Sequence, residues 1–195
     1  MNQYNQLLLL IIIIIIIIIF IKSNKNDVLI IESPLDKQNY LVNNYLDKYD
    51  AANLLAQIRI NILKLRKYLI ENKKKYKHNK EYINLLDKRC DKIIIKENTE
   101  NNNFTSYSVN KGEEIIFCLR SKIDNNLHDI NMMMYVAIHE IAHVACPEIG
   151  HTPLFKKIFK FFLETGIKLN IYEYVNYENN IHEYCGIYID QSILS

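Results

Sequence analysis

The stretch NMMMYVAIHEIAHVAC, residues 131–146, constrains this chain more than any other. It is apolar on every side except at His139, Glu140 and His143, near its C-terminal end. A helix without a polar face belongs inside a protein. Burying a carboxylate and two imidazoles there is costly unless something compensates them. Residues i and i+4 lie one above the other on a helix, so His139 and His143 present two imidazoles on one face, with Glu140 beside the same edge. A shared metal ion is the simplest compensation. The pattern is HExxH, in which two histidines bind zinc and the glutamate serves as general base. With six His and thirteen Glu among 195 residues, chance alone would place HExxH in about one such chain in a hundred. The alternative, histidines that merely bond to carbonyls, leaves three polar groups to satisfy among apolar neighbours.

Around this helix the chain is long enough for one domain with its own core and an N-terminal appendage. Net charge is only +2, which makes no strong case for nucleic acid. The charge is unevenly spread: residues 1–100 carry 17 Lys/Arg against 11 Asp/Glu, and residues 101–195 carry 7 against 11. A basic first half is compatible with an anionic membrane or nucleic acid, but a solvated helical surface accounts for it more simply. Cys90, Cys118, Cys146 and Cys185 are far apart, form no CxxC pair and read as reduced, mostly buried thiols.

From Leu7 to Ile21 the sequence is unbroken apolar, mostly isoleucine. As a helix these fifteen residues would span about 22 Å, short of the roughly 20 residues a bilayer usually takes. The length also suits a signal peptide, but no Lys or Arg precedes the run and no small-x-small cleavage site follows it. Residues 1–22 therefore read as an uncleaved membrane anchor or leader, with Lys22 and Lys25 marking the cytoplasmic side. Residues 23–36, with Ser33-Pro34, read as a linker, and residues 37–195 as the functional domain.

Within that domain, residues 50–72 carry Leu54, Leu55, Ile58, Ile62, Leu65 and Leu69 at helical spacing. A Lys-rich turn follows at residues 73–80, then a shorter helix over residues 81–89. Residues 92–96, 104–109 and 114–119 predict strands, with Asn110-Lys111-Gly112 turning between the last two. Glu114 to Arg120 is a candidate edge strand for an extended substrate to pair with. Asp129 can cap the metal helix, Pro147 ends it, and Thr152-Pro153 opens a further helix that Gly166 closes. The tail, rich in Tyr and Ile, adds strands around residues 184–189. The class implied is α+β: helices around a small, mostly antiparallel sheet, the HExxH helix in the core and a hydrophobic helix at the N-terminus.

Catalytic zinc wants three protein ligands and one open position. His151, eight residues after His143 on a tight turn beyond the helix end, is the best third ligand. Glu164 is the alternative, and Glu148 and His182 are weaker ones. His139-Glu140-Ile141-Ala142-His143, followed by Gly150-His151 and Phe155, resembles the WLM and SprT-like zinc metallopeptidases, including the short WLM-type proteins of large DNA viruses. In that resemblance His139, His143 and His151 match the zinc ligands, Glu140 matches the catalytic base, and Phe155 matches a buried Phe at a helix start. Many members have a shorter gap before the third histidine. Cleavage of DNA-crosslinked proteins is permitted by the resemblance and by nothing else in the chain. The expected activity is a one-zinc endopeptidase acting on protein or peptide substrates. The alternative is an inactive, zinc-stabilised binding module tethered to a membrane, in which Glu140 would have no purpose.

Overall fold

The computed structural model describes residues 4, 10–16, 28–99 and 105–194. Residues 10–16 are helical; the rest of the run expected as an anchor lies outside the described residues. Among the described residues no helix is long and apolar enough to cross a membrane.

The segment expected as a linker contains a strand instead. β1 (Val28–Glu32) pairs antiparallel with β2 (Asn39–Asn43), which buries Tyr40 and Val42. Ser33, at the turn between them, donates through its hydroxyl to Asn53 at 2.7 Å and ties the hairpin to the first long helix. That helix, α1 (Lys48–Glu71), buries Ala51, Leu55, Ile58, Ile62, Leu65 and Leu69, a stripe at i, i+4 and i+7 spacing that faces the core. A single 3₁₀ turn (Lys77–Asn79) leads into α2 (Lys80–Arg89).

Three strands follow, β3 (Ile94–Glu97), β4 (Tyr107–Val109) and β5 (Glu114–Phe117), in the order β3-β5-β4. β3 runs parallel to β5, whereas β4 pairs antiparallel with it. The candidate substrate strand starting at Glu114 is thus the central one, with partners on both sides, and cannot accept a third. The outer strand on the side of the metal helix is β4. Phe104 lies outside the described residues.

α3 (Ile130–Ala145) is the helix expected to carry the metal, and α1, α2 and the following helix α4 (Pro153–Lys168) pack around it. Of its sixteen residues eleven are buried, as expected of a helix apolar on every face. The Asp129 carboxylate accepts from the amides of Asn131 and Met132 at 2.8 and 3.0 Å, satisfying two of the orphan donors of the first turn. Thr152 caps α4 through Phe155 N–H, with Pro153 in first position. Gly166 does not close α4, which runs on to Lys168; it lies where a Cβ would stand 2.9 Å from Ile138 Cδ1 of α3. The chain ends in a small antiparallel hairpin, β6 (His182–Tyr184) and β7 (Ile187–Ile189).

Two long-range features are absent from the sequence expectations. Cys118 and Cys185 form a disulfide across 67 residues, which corrects the expectation of four reduced thiols; Cys90 and Cys146 remain free and buried. Arg120, only 6% exposed, bonds to Glu97 at 2.9 Å and Asp47 at 2.6 Å, with its guanidinium 4.5 Å from the Tyr45 ring centroid. Glu97 also accepts from Asn43 N–H at 2.7 Å, so one buried cluster joins β2, β3, the start of α1 and the segment after β5. Each charge is paired and Asp47 is partly exposed, although Arg120 Nη2 is buried without a hydrogen-bond partner.

Gly112 in the β4–β5 turn has φ +110°, and a Cβ there would stand 2.7 Å from Val144 Cγ1 on α3. Gly112→Ala is expected to lower stability by about 1–3 kcal/mol, measured as a lower urea midpoint; an unchanged midpoint would show that the turn and α3 are not in register through this contact.

Candidate metal centre

α3 places His139 and His143 one turn apart on the face turned towards a cleft, and the loop between α3 and α4 brings His151 back to them. The three Nε2 atoms form a nearly equilateral triangle: 3.1 Å between His139 and His143, 3.1 Å between His143 and His151, and 3.0 Å between His139 and His151. Among the described residues this is the one group of three or more His, Cys, Asp or Glu side chains whose ligand atoms converge. Three imidazole nitrogens cannot all hydrogen-bond to one another, because a neutral ring carries a single N–H. With those protons on Nδ1, three lone pairs point into one small space that could hold a metal ion.

The rings are held by aromatic packing. Phe155, one turn into α4 and fully buried, stacks on His143 with centroids 4.0 Å apart and meets His139 edge-on at 5.0 Å. Phe159 meets His139 edge-on at 5.1 Å. This apolar seat favours uncharged imidazoles: burial pushes His139 down to about 3 and His143 down to about 4, with the neighbouring histidines adding to the effect. Both are therefore neutral near pH 7, the form in which a histidine binds metal. Three nitrogen donors with one side open to the cleft match a zinc site with three protein ligands.

Glu140 lies on the adjoining edge of α3 and is 5% exposed. Burial pushes its carboxyl up to about 7, opposed by a hydrogen bond from the Ser108 backbone. A cation held by the neighbouring imidazoles would draw that value down again. The Ser108 contact also fixes the aspect of β4: its N–H points away from β5, so the outer edge of β4 faces the metal helix.

The loop carrying His151 is pinned from the β4–β5 turn. Lys111 Nζ donates to the carbonyls of Cys146 at 3.1 Å and Glu148 at 2.9 Å, and Arg89 donates to Val144 O at 2.6 Å, so two cations satisfy orphan carbonyls at the end of α3. Nothing in the sequence singled out Lys111; only the turn containing it was visible. A cleft of about 810 Å³ opens over the histidines, with β4, the 148–151 loop and the tail hairpin contributing to its lining.

The other candidate ligands lie apart from the three histidines. Glu164 is exposed on α4 and outside the cluster. Glu148 borders the cleft without joining the histidines. His182 packs against Tyr177 and its Nδ1 contacts Asn180 O at 2.8 Å. Tyr184 also lines the cleft, with its hydroxyl engaged by Cys118 O at 2.9 Å and by the Ser106 hydroxyl.

Over 173 residues, 89% of its length, the chain is 44% identical to "Uncharacterized protein R325" of Acanthamoeba polyphaga mimivirus, and it covers 88% of that protein. The chain belongs to the family of that mimivirus protein. Stretches of 70 and 68 residues are 41% and 38% identical to "Uncharacterized protein 136R" of Invertebrate iridescent virus 6 and "Uncharacterized protein 042R" of Invertebrate iridescent virus 3, each about 35% of this chain. No family model and no solved structure matches the chain.

The full chain is expected to take up one equivalent of zinc, read by elemental analysis after dialysis, and His143→Ala or His151→Ala to hold none. Lys111→Ala leaves all three ligands in place but frees the His151 loop; its zinc affinity is expected to fall about tenfold, at the lower end of what outer-sphere changes cost, as measured by competition with a chromogenic chelator.

Proposed function

We propose that this chain is a zinc-dependent metallopeptidase that hydrolyses peptide bonds in protein substrates, with His139, His143 and His151 as metal ligands and Glu140 as general base. The observation that carries the proposal is the convergence of three imidazole nitrogens within 3.1 Å of one another beside a buried carboxylate, all bordering one cleft. The resemblance of the HExxH segment and Gly150-His151 to the WLM and SprT-like peptidases supports the same reading.

Zinc at the triad would supply Lewis acidity to the scissile carbonyl and lower the pKa of a bound water to about 7. Glu140, on the same helix edge, takes the proton of the attacking water and passes it to the departing amine. Beside the cation it stands as a carboxylate able to accept the water's proton, and its buried setting helps it hold that proton until the amine departs. β4 borders the cleft, and its outward Ser108 N–H, given to the Glu140 carboxylate, would orient the base. Burial of Phe155 and Phe159 behind the imidazoles keeps water out on that side, so the three nitrogens would be approached from the cleft. The apolar run at residues 7–21 is assigned, within this proposal, to membrane attachment with the peptidase domain on the cytoplasmic side.

Zinc-loaded full chain should cleave an unfolded protein substrate, followed by mass spectrometry of the products. Glu140→Gln should lower turnover by about 10²–10⁴-fold while one equivalent of zinc stays bound. Equal cleavage by the variant, or none by the zinc-loaded parent across a diverse peptide library, would sink the assignment.

A further inference from the structure

The β6–β7 hairpin turns through Cys185 and Gly186, with φ 50° and 88°. Two consecutive positive φ values are what a two-residue type I′ turn requires, and Asn, Asp or Gly usually fill its first position. A cysteine there holds a side chain in the left-handed region, which is seldom occupied without a reason. The reason is its bond to Cys118, just beyond the end of β5. The hairpin has three residues in each strand, too few to persist alone. It is attached to the body through the disulfide, through Tyr184 donating to Cys118 O, and through Glu183 accepting from Lys122 N–H at 3.1 Å.

This attachment bears on the cleft from two sides. Tyr184, Ile187 and Ile189 line it from the hairpin. Cys118 N–H donates to the Ser106 hydroxyl at 3.0 Å, and Ser106 lines the cleft just before β4. One covalent bond therefore joins two walls of the cleft. Cys118 and Cys185 are each 7% exposed, so the bond itself is covered, but the residues that follow it at the hairpin tip, Gly186, Ile187 and Tyr188, are all exposed.

We propose that Cys118 and Cys185 form a thiol–disulfide exchange site that a dithiol reductant opens, releasing the tail hairpin from the cleft. One thiolate of the reductant bonds to Cys118 Sγ. The Cys118–Cys185 bond breaks, and its electron pair goes to Cys185 Sγ, which takes a proton. The second thiolate of the reductant then bonds to the first sulfur, closing the reductant's own disulfide and leaving Cys118 as a thiol. Two electrons and two protons pass from the dithiol to the protein, and the dithiol is oxidised. The effect on substrate turnover rests on the peptidase reading above; the exchange itself does not.

The zinc-loaded full chain, before and after treatment with dithiothreitol, tests this. Thiol titration in denaturant should rise from the two free cysteines, Cys90 and Cys146, by the two of the opened pair. Backbone amides 182–189 should exchange with deuterium at least about tenfold faster after reduction, while amides 130–145 and the bound zinc are unchanged. Cys118→Ala should show the same fast hairpin exchange without reductant. Hairpin protection that is equal in both states, or protection lost equally in α3, would overturn the proposal, the latter because the bond would then support the whole fold rather than gate one wall. Peptide turnover on the same samples keeps the two ideas apart: hairpin opening with no turnover in either state retains the exchange site and discards the peptidase.

Discussion

Three imidazole nitrogens meeting within 3.1 Å inside a largely apolar seat is the constraint to which the rest of this fold answers. Polar groups are expensive in such surroundings unless they are satisfied. The packing around α3 shows how the arrangement is held rather than relaxed. α1 and α2 cover the faces of α3 that carry no histidine, α4 supplies Phe155 and Phe159 behind the rings, and Lys111 and Arg89 secure the carbonyls at its C-terminal end. The β4–β5 turn is pressed so closely against Val144 that its third residue is a glycine with no room for a side chain. Phe155 against its ring and Lys111 on the Glu148 carbonyl limit where His151 can go.

Much of this was legible in the sequence because it is local. The HExxH spacing, the Asp129 and Thr152 caps, the proline that ends α3 and the short step to His151 all act within a few residues, where helix geometry alone fixes relative positions. The helices over residues 48–71 and 80–89 followed from their apolar period. What was missed depends on distant parts of the chain. β1 was hidden by the Ser33-Pro34 punctuation, and its pairing with β2 is visible only once α1 gives that hairpin something to bury Tyr40 and Val42 against. The order β3-β5-β4 cannot be read from strand propensity, so the central strand passed for an edge. Arg120, Glu97 and Asp47 are up to 73 residues apart, and Cys118 and Cys185 are 67 apart; no spacing rule pairs them.

The cleft is assembled from elements of unequal firmness. Its floor belongs to α3, the most thoroughly buried helix of the domain. Its rim comes from a three-residue outer strand, an exposed loop at residues 147–151 and a short hairpin near the C-terminus. Rigid support beneath and lighter elements above is the usual division in binding sites, since the chemistry needs fixed geometry and the substrate needs a way in.

His151 differs from its two partners in one respect: it is exposed, whereas His139 and His143 are partly covered. An ion arriving from solvent would meet the loop histidine and two rings already set by the helix, so loading needs no rupture of the hydrophobic interior. Occupancy would then follow the free zinc concentration around a folded molecule instead of being sealed in when the chain collapses. Apo and loaded forms would share one scaffold, and a change of a few residues in the 147–152 loop would alter how long the ion stays without touching the helix that receives it.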